Sequence, residues 1–192
     1  MSVLIGIALS ATCGFRVFVP LLAVNIGTRA QNVDGEPLIE LAAGFDWLSS
    51  DIAMMVFLVA TLFEIGGYYI PWIDNLLDTV ASPAAIVAGT VITASFITGM
   101  DPWLQWLLGL IAGGSAAGAV QATTVVTRAS STVTTGGLGN PIVASVETSG
   151  AFLGSALAIL AAPFAIAVFV LLLGCGGWIW WRRRRDKLAE AA

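Results

Sequence analysis

Apolar residues in this chain gather into blocks of about 20 residues or more, each long enough to cross a hydrocarbon core of roughly 30 Å as a helix. A soluble domain has no use for so many such blocks. Of the 192 residues, 58% are hydrophobic and only 10% are charged, and the mean hydropathy is +0.92. The natural solvent is a bilayer. The expected fold class is all-α, a polytopic membrane helix bundle forming one domain over residues 1–181.

Punctuation between the blocks predicts six spans. The first covers residues 3–27 and carries Arg16 and Pro20. Its start has no Lys or Arg ahead of the apolar run and no good cleavage site, so it reads as a retained helix and not as a leader. An acidic loop follows to Ser50. Within it Leu38, Ile39, Leu41, Ala42, Phe45 and Leu48 are expected to form an interfacial helix beside Trp47. The second span, 51–69, is announced by Ser49, Ser50 and Asp51 and closed by Gly66, Gly67 and Pro71. The third is 72–99. The fourth, 102–127, opens on Asp101 and Pro102, an N-cap with proline in the first helical position. Its Gly109, Gly113, Gly114 and Gly118 give overlapping GxxxG spacings, which allow a second helix to approach closely and make this span the candidate surface for a homo-oligomer or larger membrane complex. The polar stretch 128–140 reads as a flexible loop, with a re-entrant segment as the alternative. The largely apolar stretch of 40 residues from Ile142 to Trp181 divides at Pro163 into spans 141–161 and 163–181, followed by a basic tail, 182–192.

The net charge of −4 is unevenly distributed. Arg182, Arg183, Arg184, Arg185 and Lys187 follow the last span, whereas Asp34, Glu36, Glu40, Asp46 and Asp51 gather around the first loop. By the positive-inside rule the tail is cytoplasmic. Six alternating spans then put both termini inside and the 28–50 loop outside, as expected for a multi-pass membrane protein.

The chemistry open to the chain is narrow. With no histidine, imidazole bases, haem ligation through His and His-containing zinc sites are excluded, and no metal is identified. Cys13 and Cys175 lie in separate apolar blocks and read as free thiols. No nucleophile stands with a base, no GxSxG, HExxH or Rossmann pattern occurs, and neither a cofactor nor nucleic acid is expected. What remains is a set of ionisable residues inside the spans, each costing on the order of 3 kcal/mol unless partnered or hydrated. Glu64, Asp78 and Glu147 fall about six or seven residues from the cytoplasmic ends of their helices, a common depth of roughly 10 Å. Asp74 shares a helical face with Asp78, and Arg16 lies deeper, with Glu64 its expected partner. The segments Ile73–Thr79 and Ile142–Thr148 each place an acid and a threonine at the same distance from an isoleucine, as a parallel duplication of a helical hairpin would. Arg128, Thr135 and Asn140, in the hydroxyl-rich stretch, are candidates for contact with an anion or lipid headgroup.

Three segments carry a family resemblance. They are Ser10-Ala11-Thr12-Cys13-Gly14-Phe15-Arg16-Val17-Phe18-Val19-Pro20; Glu64 followed by Ile70-Pro71-Trp72-Ile73-Asp74-Asn75-Leu76-Leu77-Asp78; and Thr134-Thr135-Gly136-Gly137-Leu138-Gly139-Asn140-Pro141 with Glu147 after it. In these the chain resembles the bacterial membrane family called domain of unknown function 4126. Where family members often carry an Asp-Lys pair, this chain has Tyr68-Tyr69. The resemblance implies a small multispanning bacterial membrane protein and supplies no substrate. Three function classes follow from the residues. The first is a transporter or channel-like protein for a cation or proton, using Arg16, Glu64, Asp74, Asp78 and Glu147. The second is a non-catalytic subunit of a membrane complex, and the third is a lipid-binding or lipid-modifying protein. Membrane lipid is the expected partner in each.

Overall fold

The computed structural model describes residues 2–70 and 73–160 of the chain. The expected span 163–181, the basic tail 182–192 and Cys175 lie outside the described residues. The fold is all-α. Its elements are α1 (Ser2–Cys13), α2 (Phe18–Arg29), a short 3-10 turn (Asp46–Ser49), α3 (Asp51–Gly67), α4 (Ile73–Ser95), α5 (Pro102–Leu108), α6 (Ser115–Thr135) and α7 (Asn140–Leu160). A π-helical turn, Gly109–Gly114, joins α5 to α6 as one rod. Leu76–Ser95, Pro102–Thr135 and Asn140–Leu160 are long and apolar enough to cross a membrane. Large apolar side chains such as Ile52, Phe63, Val87, Ile111 and Leu153 are exposed along these helices and along α3. Water would penalise such a surface, and lipid accepts it.

The expected single first span, 3–27, does not form. The chain leaves the helix after Cys13 and re-enters one at Phe18, and the two pieces run in opposite directions. Travelling down α1, Thr12 bonds Ser155 of α7 and Arg16 reaches Ala144 and Glu147. Returning along α2, Gly27 is back beside Ile159 and Ile39. Likewise Gly6, early in α1, packs on Phe96, next to Ser95, whose carbonyl accepts from Ala42 N beyond α2. The pair is therefore a helical hairpin. At 12 residues each its arms are about 18 Å long, little more than half of a 30 Å core. The amino-terminal end and the 28–50 loop lie on the same side of the bundle, which corrects the expectation that they lie on opposite sides.

Sequence explains the turn. Gly14 sits where a Cβ would come within 2.6 Å of Ala117 O and Gln121 N, so only glycine lets the tip seat on α6. Pro20 stands in the first turn of α2, where its missing N–H removes no helical bond.

The tip rests among long helices that pack backbone to backbone. A Cβ on Gly109 would lie 2.7 Å from Thr90 O, and one on Gly113 would collide with Gly89 O and Thr93. The GxxxG face is thus occupied by α4 of the same chain. Ser10 fixes α1 to this seam through Gly89 O at 2.7 Å and Thr93 Oγ1 at 2.8 Å.

Two further expectations are corrected. Residues 128–135 continue α6 as helix, and the chain turns only at 136–139, where Gly136 (φ 65) and Gly137 (φ 89) adopt left-handed backbone that disfavours other residues. The hydroxyls of Thr127, Ser130 and Thr134 bond the carbonyls four residues back, so this polar run satisfies itself as a helix. The 28–50 segment forms no interfacial helix beyond the turn at Asp46–Ser49. Its Ile39, Ala42, Phe45 and Leu48 are buried in the protein core as a plug over the hairpin's open end, Leu38 and Leu41 are partly buried, and Trp47 is exposed.

Candidate functional site

Breaking a helix inside a bilayer leaves backbone groups without partners, and side chains must supply them. At the amino-terminal end of α2 the capping position is Val17, which has no acceptor of its own. Glu64 of α3 takes its place. Its Oε1 accepts from Val17 N at 2.7 Å and its Oε2 from Phe18 N at 3.1 Å. The carboxylate thereby faces the positive end of α2. Among the described residues no arginine lies within ion-pair distance of Glu64, so the expected Arg16–Glu64 pair is not made.

Arg16 instead crosses to α7. Its Nη1 donates to Glu147 Oε2 at 3.1 Å and to Phe15 O at 2.8 Å, Nη2 donates to Ala144 O at 2.9 Å, and Nε donates to Thr148 Oγ1 at 3.1 Å. The residue is fully buried. A fixed planar fork suits this multiple recognition, which an ammonium would not reproduce.

Arg128, placed by the sequence in a headgroup-binding loop, is turned inward and is 3% exposed. Its Nη2 pairs with the same Glu147 Oε2, and its Nη1 donates to Asp78 Oδ1 at 2.9 Å. Two guanidiniums, one from the hairpin turn and one from α6, thus converge on one carboxylate oxygen. Tyr68 completes the cluster: its ring carries Arg16 at 4.1 Å and Arg128 at 3.8 Å from the centroid, and its hydroxyl donates to Asp78 Oδ1 at 3.2 Å. Close by, Asn140 Nδ2 donates to Asp74 Oδ2 at 2.8 Å and to Thr132 Oγ1 at 3.0 Å.

Glu64, Asp78 and Glu147 therefore gather around one centre with Arg16 and Arg128, and Asp74 borders it through Asn140. Thr135 stays outside, accepting from Gly139 N in the turn. Tyr68 and Thr148 were not among the candidate site residues, although the sequence marks Thr148 in the repeat and Tyr68 as a departure from the family pattern. The available signal for Tyr68 was its position four residues after Glu64, one turn along the same face. Two buried atoms at the centre, Arg128 Nε and Glu147 Oε1, have no hydrogen-bond partner among the described residues. Both atoms belong to residues already paired through Glu147 Oε2, and a buried polar atom without a protein partner is a place for a bound water.

A family model described as Domain of unknown function (DUF4126) matches residues 3–182. The chain belongs to this family. Every residue of the cluster falls inside the matched range, and with its apolar helices this member of the family is an integral membrane protein. No curated protein and no solved structure matches the chain.

Proposed function

We propose that this protein moves a cation or proton across a bacterial cytoplasmic membrane, with the α1–α2 hairpin as its moving part. The observation that carries this is the convergence of Arg16, at the hairpin tip, and Arg128 on Glu147, whose second oxygen is unpartnered. A cation or proton taken up at that oxygen weakens both arginine bonds together. Loss of the Arg16 bond to Glu147 loosens the tip, leaving it held to α7 by the neutral acceptors Ala144 O and Thr148 Oγ1 and to α3 by Glu64. Discontinuous helices with charged groups at their inner ends serve ion sites in membranes for this reason.

Orientation follows from the hairpin. If α3, α4, the α5–α6 rod, α7 and the expected span 163–181 each cross, the chain crosses five times. With the arginine-rich tail cytoplasmic, the amino-terminal end and the acidic 28–50 loop face outward, and the 136–139 turn faces inward.

The test is flux from liposomes holding the purified protein, measured for protons and a panel of alkali cations. Wild type is expected to conduct at least one of them, and Glu147→Gln to lose that flux while remaining monodisperse. Absence of flux across the panel, or undiminished flux in Glu147→Gln, would overturn the proposal. A second reading, a structural subunit of a membrane complex, is favoured by one observation: Asp78 Oδ1 accepts from both Arg128 and Tyr68, and all three nitrogens of Arg16 are engaged. On that reading the same substitutions change stability alone.

A further inference from the structure

Between the hairpin tip, α3 and α4 lies a cavity of about 720 Å³. Its walls are mostly aliphatic, and the exceptions are informative. Among the described residues Glu64 and Tyr68 are its only ionisable lining residues, and Phe18 and Phe63 add two further aromatic rings. Phe63 and Val80, at the rim, are exposed on the apolar outer face of α3 and α4, so among the described residues the cavity opens sideways, toward where lipid would lie.

Charge decides what fits. Arg16 and Arg128 form their ion pairs with Glu147 and Asp78, whereas Glu64, in contact only with the α2 terminus, feels both arginines from beyond ion-pair distance. A carboxylate offers about four acceptor sites, and the two backbone bonds use two of them. An acyl chain would fill the volume and leave this charge unanswered. An anion would meet a carboxylate.

We propose that this cavity binds a lipophilic organic cation, an ammonium or phosphonium on an apolar body, which enters from the bilayer and sets its charge against Glu64 with aromatic rings around it. The proposal names a substrate class for the cation reading above and rests on it in taking Glu64 as a cation site. It differs in location, since the small-ion step is assigned to Glu147.

The probe is tetraphenylphosphonium, with tetraphenylborate as an anion of matching shape, and binding to the purified full chain is followed by equilibrium dialysis against a detergent-only control. Tetraphenylphosphonium is expected to bind wild type saturably and tetraphenylborate not to. Glu64→Gln is expected to weaken binding by at least about tenfold. Because that variant also alters the α2 cap, Ala84→Phe provides a second route: it fills the cavity from α4 without touching Glu64, and should weaken binding equally. Equal binding of both ions, no saturable binding of tetraphenylphosphonium, or full binding in Ala84→Phe would overturn the site. Liposome flux of small cations keeps the two proposals apart. Flux without tetraphenylphosphonium binding sinks the cavity site alone, and binding without flux sinks the translocation proposal alone.

Discussion

The arginine pair on Glu147 makes a prediction whose size can be worked from the contacts. Arg128→Met removes the group that binds both Asp78 and Glu147, leaving Asp78 with the Tyr68 hydroxyl and Glu147 with Arg16. Losing one partner of a buried pair costs about 3–5 kcal/mol, chiefly because the other charge stays buried. Glu147→Gln is milder. It keeps an acceptor oxygen, Arg128 keeps Asp78, and Arg16 keeps Phe15 O, Ala144 O and Thr148 Oγ1. The loss is then that of charge-assisted hydrogen bonds, about 1.5–3 kcal/mol. In the double variant no uncompensated Glu147 charge remains, so the two losses should overlap by about 1–3 kcal/mol. Unfolding in mixed detergent micelles, followed by tryptophan fluorescence, measures all four proteins of the cycle. Additivity within about 0.5 kcal/mol would refute the claim that both arginines act through one carboxylate.

Three other outcomes are expected. In a Cys-free background, Ser2→Cys and Asn32→Cys should label from the same side of the membrane and Gly137→Cys from the other; labelling of positions 2 and 32 from opposite sides would eliminate the hairpin. Gly113→Val should destabilise by about 1–3 kcal/mol or more in a thermal melt, because its side chain would meet Gly89 O and Thr93 across the α4 seam. Glu64→Ala, which strips the acceptor from Val17 N and Phe18 N, should cost about 1–2 kcal/mol, as loss of an N-cap does, and should raise hydrogen exchange at those two amides above exchange in α7.

Much of the outline is legible in sequence because it depends on local signals. Ser50 caps α3 by accepting from Ala53 N at 3.1 Å, and Asp101-Pro102 opens the rod, both as their residue types require. The common level of Glu64, Asp78 and Glu147 was also readable, since each sits on an uninterrupted helix where rise per residue gives depth. Arg16 was misplaced because the same arithmetic was applied across a break. The residues that mark the break, Gly14 and Pro20, are ones that membrane helices also tolerate in their interior, so the 3–27 block looked continuous. Arg128 was misread for the opposite reason. Hydroxyl and glycine residues around it have loop composition, but their side chains bond back onto the helix, and that depends on a low-dielectric setting which composition does not state.

Not every charge at the centre calls for the same explanation. A hairpin buried in lipid has two inner ends, and each needs the charge that opposes its dipole. Glu64 answers the amino-terminal end of α2, and Arg16, donating to the turn carbonyl of Phe15 two residues past α1, brings a positive charge near that helix's carboxyl-terminal end. Glu147 is then needed to balance Arg16. These three would be present in any protein that had to hold such a tip, whatever it did. Arg128 and Asp78 are not required by the hairpin: they lie on α6 and α4, which are continuous through the cluster, and their pair brings two more buried charges at a desolvation cost of several kcal/mol per ion. Replacing that pair together by Met and Leu should therefore leave the hairpin folded. A protein whose cluster were only architectural should tolerate the exchange with its membrane activity intact, whereas one that uses Arg128 to compete with a cation for Glu147 should keep its fold and lose the flux.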